Sequence, residues 1–428
     1  MILTVDRSSL AGAIRIPGSK SHTIRGVIIG SMADGITVLS DPLDAADTHS
    51  SVSCCTALGA TIERSERTWT VSGMGGRLPS EAVRLDVGNS GTTLGNLIGL
   101  CATGKAPCTL DGDASIRTRP FAALLRSLEQ LGATIEGSGE HGTAPITVRG
   151  PLRGGEATVD GTTSIYLTPL LVGCPLSEGR SILRVDGEMN EKGYVRMTLD
   201  WLEAAGIEVE ANEALTRFEI PGGQTYRPVR RAIAADFSSA AFPGCAAVLA
   251  ATDAVTLHGL DFDDKQGDKV VFEILSAMGA NIEIGLKDVT IRPTERLQGR
   301  HIDLSDAPDA LPILAVVACA AEGETVLDNV AMARIKETDR IEVMRKELGA
   351  MGAEIEELPD GLVIRNSELH GAEVDGHDDH RVVMALAVAG LIAKGPATRI
   401  RSAESVRITY PTFMSSMREL GARLEAEG

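Results

Sequence analysis

Aromatic residues are scarce in this sequence. Seven Phe, four Tyr and two Trp make up 3% of 428 residues, so the interior has to be filled by Ala, Val, Leu and Ile rather than by stacked rings. Positive charge is short as well, with 41 Lys and Arg against 59 Asp and Glu and a formal net charge of −18. Neither nucleic acid nor an anionic membrane is expected as a partner, because either requires a basic surface. An anionic small molecule would have to meet a local basic pocket inside an acidic protein. No run of about 18 apolar residues is present, and the residues after Met1 lack the pattern of a secretory signal, so a soluble, cytoplasmic protein is expected. The seven cysteines are an odd number, and Cys101, Cys174, Cys245 and Cys319 sit in apolar stretches. Neighbouring Cys54 and Cys55 have no second pair at metal spacing, so the cysteines read as small buried hydrophobes and no metal site is expected.

What the chain has instead is repetition. LGATIE stands at residues 58–63 and again, letter for letter, at 131–136. Looser copies follow at 205–210 (AGIEVE), 278–283 (MGANIE), 351–356 (MGAEIE) and 420–425 (LGARLE), most of them about 73 residues apart. Each copy ends an amphipathic run and opens an alternating one, which predicts a helix, a Gly just past its end, and a strand. A second series runs in phase with the first, at residues 19–35, 88–104, 161–179, 236–253, 307–323 and 378–395. Each of these begins with small or polar residues and becomes apolar on all sides, which predicts a helix buried all round with its N-terminus at the edge of the core. A β-rich stretch follows every one, for example residues 36–39 and 182–185. The chain is therefore six copies of one unit: strand, buried helix, strand, outer helix, strand. At 43% hydrophobic residues the cores are ample, and six units suggest two domains of three.

In chain order, residues 1–17 read as a strand pair, MILTV and AIRI. SKSHTIR (19–25) then leads into the first buried helix. Lys20 and Arg25 near a helix N-terminus oppose its dipole, so they read either as charges on a frayed turn or, with Ser19 and Ser21, as a nest for an anion. NSGTT (89–93) is a small-residue turn that suits close ligand approach, although plain capping explains it almost as well. GDASIRTRP (112–120) brings Arg117 and Arg119, and RIKETDR (334–340) brings alternating charges that a surface ion-pair ladder would also explain. The third unit offers Thr163, Ser164 and EKGY (191–194). Asp309 precedes the fifth buried helix, where capping alone is a sufficient reading. Asp378, Asp379, His380 and Arg381 open the sixth.

Five of these stretches together resemble the signatures of the enolpyruvyl transferase family. They are GSKSHTIR (18–25), GNSGTT (88–93), GDASIRTRP (112–120), IKETDR (335–340) and DDHR (378–381), in the family's order and spacing across essentially the whole chain. IKETDR followed by DHR is the specific pair, while GNSGTT alone carries little. The resemblance, strongest to members acting on shikimate-type acids, implies an α/β fold: a two-domain inside-out α/β barrel of six βαβαββ-type repeats. The implied domains are 18–231, with repeats 1–3, and 1–17 plus 232–428, with repeats 4–6. The active site would lie in the interdomain cleft, with the domains closing on substrate. The implied reaction transfers the enolpyruvyl group of phosphoenolpyruvate to the 5-hydroxyl of 3-phosphoshikimate and releases phosphate, as in aromatic amino acid biosynthesis. No cofactor is implied, and a monomer is expected.

Carried over motif by motif, Lys20 would touch both substrates, with Ser21 and Arg25 on the shikimate carboxylate. Arg119 and the Gly91 backbone would hold the phosphate of phosphoenolpyruvate, and Arg340 and Arg381 its carboxylate. Asp309 would be the base toward the attacking hydroxyl, Lys336 would hold hydroxyl oxygens, and Glu337 would handle the proton at the methylene carbon. Asn89, Thr163, Ser164, Tyr194 and His380 complete the implied substrate contacts. The chain also departs from the pattern. Gly95 stands for an Arg, Ile165 for a Gln, Glu191 for a Ser or Arg beside the shikimate phosphate, and Met332 for a polar residue. Arg407 or Ile408 falls near a lysine position. Ala114 occupies the place of the Cys in UDP-N-acetylglucosamine enolpyruvyl transferase, which speaks against that activity. The departures leave open another acceptor or a different addition–elimination. An RNA-end-processing relative of the same fold fits the charge and the intact motifs poorly.

Overall fold

The computed structural model describes residues 1–136 and 141–427. The chain divides into two compact units, Gly18–Ile233 and Met1–Pro17 with Ala234–Gly428. Among the described residues of the first, six α-helices follow one another: α1 (Lys20–Met32), α2 (Ala46–Ala57), α3 (Gly91–Cys101), α4 (Ala122–Gln130), α5 (Ser164–Gly173) and α6 (Lys192–Ala204). The odd-numbered helices are buried all round, every residue of α1 after Lys20, all of α3 but Thr92 and all of α5 but Ile165. Their sequences leave no polar face to turn to water. The even-numbered helices bury one face and expose the other.

Three four-stranded sheets complete this unit, all in the same order. In one, Gly155–Asp160 runs parallel to Ser181–Asp186, which pairs antiparallel with Arg217–Ile220, itself antiparallel to Glu210–Ala211. The buried helix joins the parallel pair, and the antiparallel hairpin follows the outer helix. A second sheet orders Val83–Asp86, Cys108–Asp111, Ile146–Arg149 and Thr134–Glu136 likewise. The sheet of the first repeat takes its leading strand, Arg230–Ala232, from the far end of the unit, parallel to Ile36–Ser40. Helices α3 and α5 meet backbone to backbone. A Cβ on Gly99 would lie 2.1 Å from the Pro169 carbonyl oxygen, so only glycine permits that approach.

The second unit repeats the plan with α7 (Phe237–Ala250), α8 (Val270–Ala277), α9 (Leu311–Ala320), α10 (Arg340–Ala350), α11 (His380–Ile392) and α12 (Phe413–Glu419). Helices α7, α9 and α11 are its buried ones and pack on one another. The two strands read at the N-terminus are present, but they are not a pair. Ile2–Asp6 is a central strand between Thr398–Arg401 and Arg423–Glu427, and Leu10–Arg15 runs parallel to Ala251–His258. Both edges of the first strand are taken by distant segments, which leaves its sequence neighbour to seek another sheet. The first strand thereby completes the sixth repeat.

The LGATIE copies do what their glycines suggest. Gly59, Gly132, Gly206, Gly279, Gly352 and Gly421 all follow an outer helix at φ between +73° and +115°, the left-handed conformation that ends a helix at least cost with Gly. The cores are aliphatic, and three of the few rings, Phe237, Phe262 and Phe272, meet edge to face. All seven cysteines are buried. Burial pushes the Cys55, Cys174 and Cys319 thiols up to about 12, so these are packing groups rather than nucleophiles. Among the described residues no helix is long and apolar enough to cross a membrane.

Candidate active site

The candidate residues of Gly18–Ile233 stand at the N-termini of its buried helices, in three groups. At α1, Ser19 caps the helix by accepting from the His22 N–H. Lys20 Nζ lies 3.2 Å from Oδ2 of Asp47, a buried acid in the first turn of α2. Ser21 and Arg25 are one turn apart. The Arg25 guanidinium donates to Thr198 Oγ1 at 2.8 Å, to the Ser21 carbonyl at 3.2 Å and to the Tyr194 carbonyl at 3.4 Å, and it lies 6.0 Å from the centre of the Tyr194 ring. Burial lowers its pKa to about 10 against the opposing pull of Tyr194 and Glu191, so it remains a cation at neutral pH.

At α3, Ser90 accepts from the Thr93 N–H. The Arg119 guanidinium donates to Asn89 Oδ1 at 3.1 Å and to Ser115 Oγ at 3.0 Å. A Cβ on Gly91 would lie 2.8 Å from Arg119 Nη1, so this glycine is what lets the guanidinium lie against the helix start. Two residues earlier, Arg117 is spent on an exposed ion pair with Asp111. At α5, Thr163 caps the helix through the Ile165 N–H, and the Thr163 and Ser164 hydroxyls both donate to Glu191. That acid crosses from the start of α6.

In the other unit one arginine organises the candidates. The Arg340 side chain is 1% exposed. It donates to Asp379 Oδ2 at 2.7 Å, Asp309 Oδ1 at 2.7 Å and Glu337 Oε2 at 2.6 Å. Asp309 Oδ2 also lies 2.9 Å from Arg381 Nη2, and Arg381 donates to Ser238 Oγ. Asp379 caps α11 through the Arg381 N–H as well. Capping therefore does not account for Asp309, whose two oxygens go to two guanidiniums. Burial favours its neutral form, but Arg381, Lys336 and Arg340 outweigh that and hold it well below the usual carboxylate range. Burial likewise works against the Arg340 charge, and Asp379, Glu337 and Asp309 more than reverse it. His380 is fully buried beside Arg381 in the first turn of α11. Arg334, by contrast, bonds Asp339 and Glu357, so the ion-pair ladder describes one end of the RIKETDR stretch and not the other.

Three residues that sequence reasoning left aside belong to these groups. Asp379 was readable as a cap in DDHR, but not as the bidentate partner of Arg340. Nothing in sequence links Asp47 to Lys20 or Ser238 to Arg381. Among the described residues no set of three or more His, Cys, Asp and Glu is placed to hold a metal ion.

Two of the departures prove to be one feature. A Cβ on Gly95 would lie 3.1 Å from Ile165 Cγ1 and 3.4 Å from Pro169 Cγ. The glycine on α3 makes room for the branched residue on α5. Gly95→Arg alone is therefore expected to destabilise the fold by about 1–3 kcal/mol through overpacking. Adding Ile165→Gln should recover about 1 kcal/mol of that as a coupling term. A double-mutant cycle by urea denaturation reads both, and additive single effects would contradict the pairing.

The EPSP synthase (3-phosphoshikimate 1-carboxyvinyltransferase) family model matches residues 5–417. A 3-phosphoshikimate 1-carboxyvinyltransferase of Acetivibrio thermocellus is 46% identical over 99% of both chains. One from Methanothrix thermoacetophila is 42% identical over the full length of each. Among solved structures, EPSP synthase from Acinetobacter baumannii superposes with a TM-score of 0.82 at 27% identity, covering 100% of both chains. The enolpyruvyl transferase NikO from Streptomyces tendae gives 0.78 at 19% identity over 99% of this chain and 98% of its own, a likeness of fold alone.

Proposed function

Since the chain belongs to the EPSP synthase family, we propose that it transfers the enolpyruvyl group of phosphoenolpyruvate to the 5-hydroxyl of 3-phosphoshikimate and releases phosphate. The observation that carries this reading is the Arg340 cluster. It brings carboxylates able to move protons to within hydrogen-bond reach of guanidiniums able to hold an anion. In the reaction, the acceptor oxygen bonds to C2 of phosphoenolpyruvate while C3 takes up a proton, giving a tetrahedral adduct. Breaking the C2–O bond to phosphate and removing one proton from C3 restores the double bond. Asp309 takes the hydroxyl proton, which leaves with phosphate, and Glu337 delivers and then recovers the proton at C3. Arg340 and Arg381 bind the carboxylate of phosphoenolpyruvate, and Arg119, Asn89 and the Gly91 backbone its phosphate. Lys20 contacts both substrates. Ser21 and Arg25 hold the acceptor carboxylate, and Lys336 its hydroxyl oxygens.

The free protein holds Asp309 as a poor base, because Arg381, Lys336 and Arg340 stabilise its charge. A substrate carboxylate that takes those guanidiniums removes part of that stabilisation and raises the basicity of Asp309 where the hydroxyl arrives. Phosphate release from phosphoenolpyruvate, measured with and without 3-phosphoshikimate, tests the assignment. Release that depends on 3-phosphoshikimate is expected, and its absence would remove this acceptor.

A further inference from the structure

Glu191 is oddly placed for an acid. It precedes α6 at φ +54° and ψ +38°, a left-handed conformation that a residue with a Cβ adopts only when its surroundings enforce it. Its side chain makes no capping bond to its own helix. It turns instead to the start of α5, where a single oxygen, Oε2, accepts from Thr163 Oγ1 at 2.6 Å, the Ser164 N–H at 2.8 Å and Ser164 Oγ at 2.8 Å. The residue is 3% exposed, and buried Arg25 feels its charge. An ionised carboxylate taken out of water needs such partners, and these donors would serve a phosphoryl oxygen equally well.

We infer that Glu191 sets acceptor specificity as a built-in anion. It occupies the Thr163 and Ser164 donors, so that a phosphorylated acceptor gains them only by displacing it, whereas an unphosphorylated polyhydroxy acid need not. The identity of the acceptor rests on the enolpyruvyl-transfer reading, but the contest between Glu191 and an external phosphate does not. An entering dianion either meets the carboxylate at close range or drives it off three hydrogen bonds, and both weaken phosphate binding. Glu191 is thus a specificity-determining residue that disfavours what the Thr163–Ser164 turn would otherwise attract.

The test uses inorganic phosphate as probe, titrated calorimetrically into the full-length protein. E191G suits the left-handed backbone and vacates the donors, while E191Q keeps the shape without the charge. E191G is expected to bind phosphate at least about tenfold more tightly than wild type, the scale of one charge-assisted hydrogen bond. Adding S164A, which removes one of the three donors, should cut that gain, whereas a gain from general loosening of the loop would persist. In turnover, KM for 3-phosphoshikimate should fall by a similar factor in E191G while KM for phosphoenolpyruvate stays put. Folded E191G that binds phosphate no better than wild type overturns the proposal. If E191G does not fold, E191Q carries the same comparison, with tighter phosphate binding expected and an unchanged affinity overturning it. A gain in phosphate binding without turnover of 3-phosphoshikimate would uphold Glu191 as the internal anion and reject the acceptor.

Discussion

Arg340→Met is expected to cost about 3–5 kcal/mol of folding stability, because removing one partner of a buried ionic group leaves the others uncompensated. Here the partners are Asp309, Glu337 and Asp379 together, around a side chain 1% exposed. Turnover should fall by about a thousandfold or more if this guanidinium binds the carboxylate of phosphoenolpyruvate as proposed. The pH dependence follows in sign. In the wild type, the depressed Asp309 contributes stability that is present above the unfolded carboxylate pKa and is lost only as pH falls through its lower folded value. Without Arg340, Asp309 keeps Arg381 and Lys336 but loses one of the three cations that hold it down, so its folded pKa moves back up toward the unfolded carboxylate value. The stability deficit of Arg340→Met should therefore be larger at pH 7 than at pH 3, where the carboxylate is protonated in the unfolded chain. Urea denaturation at the two pH values reads it, and a deficit independent of pH would mean that the cluster is not electrostatically coupled. Arg340→Lys should fall between, since one ammonium cannot span three acids.

Lys20→Met is expected to match the rate loss but not the instability. Its partners include Asp47, an acid in the first turn of α2, where the helix N-terminus shares the charge of that acid. The cost to folding should be about 1–2 kcal/mol, while turnover falls about a thousandfold if the ammonium serves both substrates. A rate within tenfold of wild type would remove Lys20 from the chemistry, and full unfolding would make it a structural residue. The contrast between the two variants separates a cation that holds the fold from one held ready for a ligand.

Much of this architecture was readable because it is written six times. The helix-ending glycines from Gly59 to Gly421 share a period and a conformation, and a pattern that recurs at fixed spacing outweighs local ambiguity. The N-terminal strands look like a pair in sequence but are not one, because strand partners are chosen at long range. Nothing within residues 1–17 announces Thr398–Arg401 or Arg423–Glu427 as neighbours. The motif residues could be named from the sequence, but their states could not. Arg117 and Arg119 look alike in GDASIRTRP, yet one pairs at the surface with Asp111 and the other turns toward Gly91. Gly95 and Ile165 read as two separate departures, although a missing Cβ on one helix is what admits the branched side chain on the other. Glu191 read as a misplaced charge, because only folding brings it across 27 residues to the Ser164 N–H.

In the proposed mechanism Asp309 and Glu337 carry out an addition followed by an elimination. Running the reaction in D2O with phosphoenolpyruvate and 3-phosphoshikimate tests it most directly. Transient protonation at C3 makes a methyl group whose hydrogens become equivalent, so deuterium should appear in the methylene group of the enolpyruvyl product, and Glu337→Gln should abolish both labelling and turnover. Product formed with an unlabelled methylene group would contradict this mechanism.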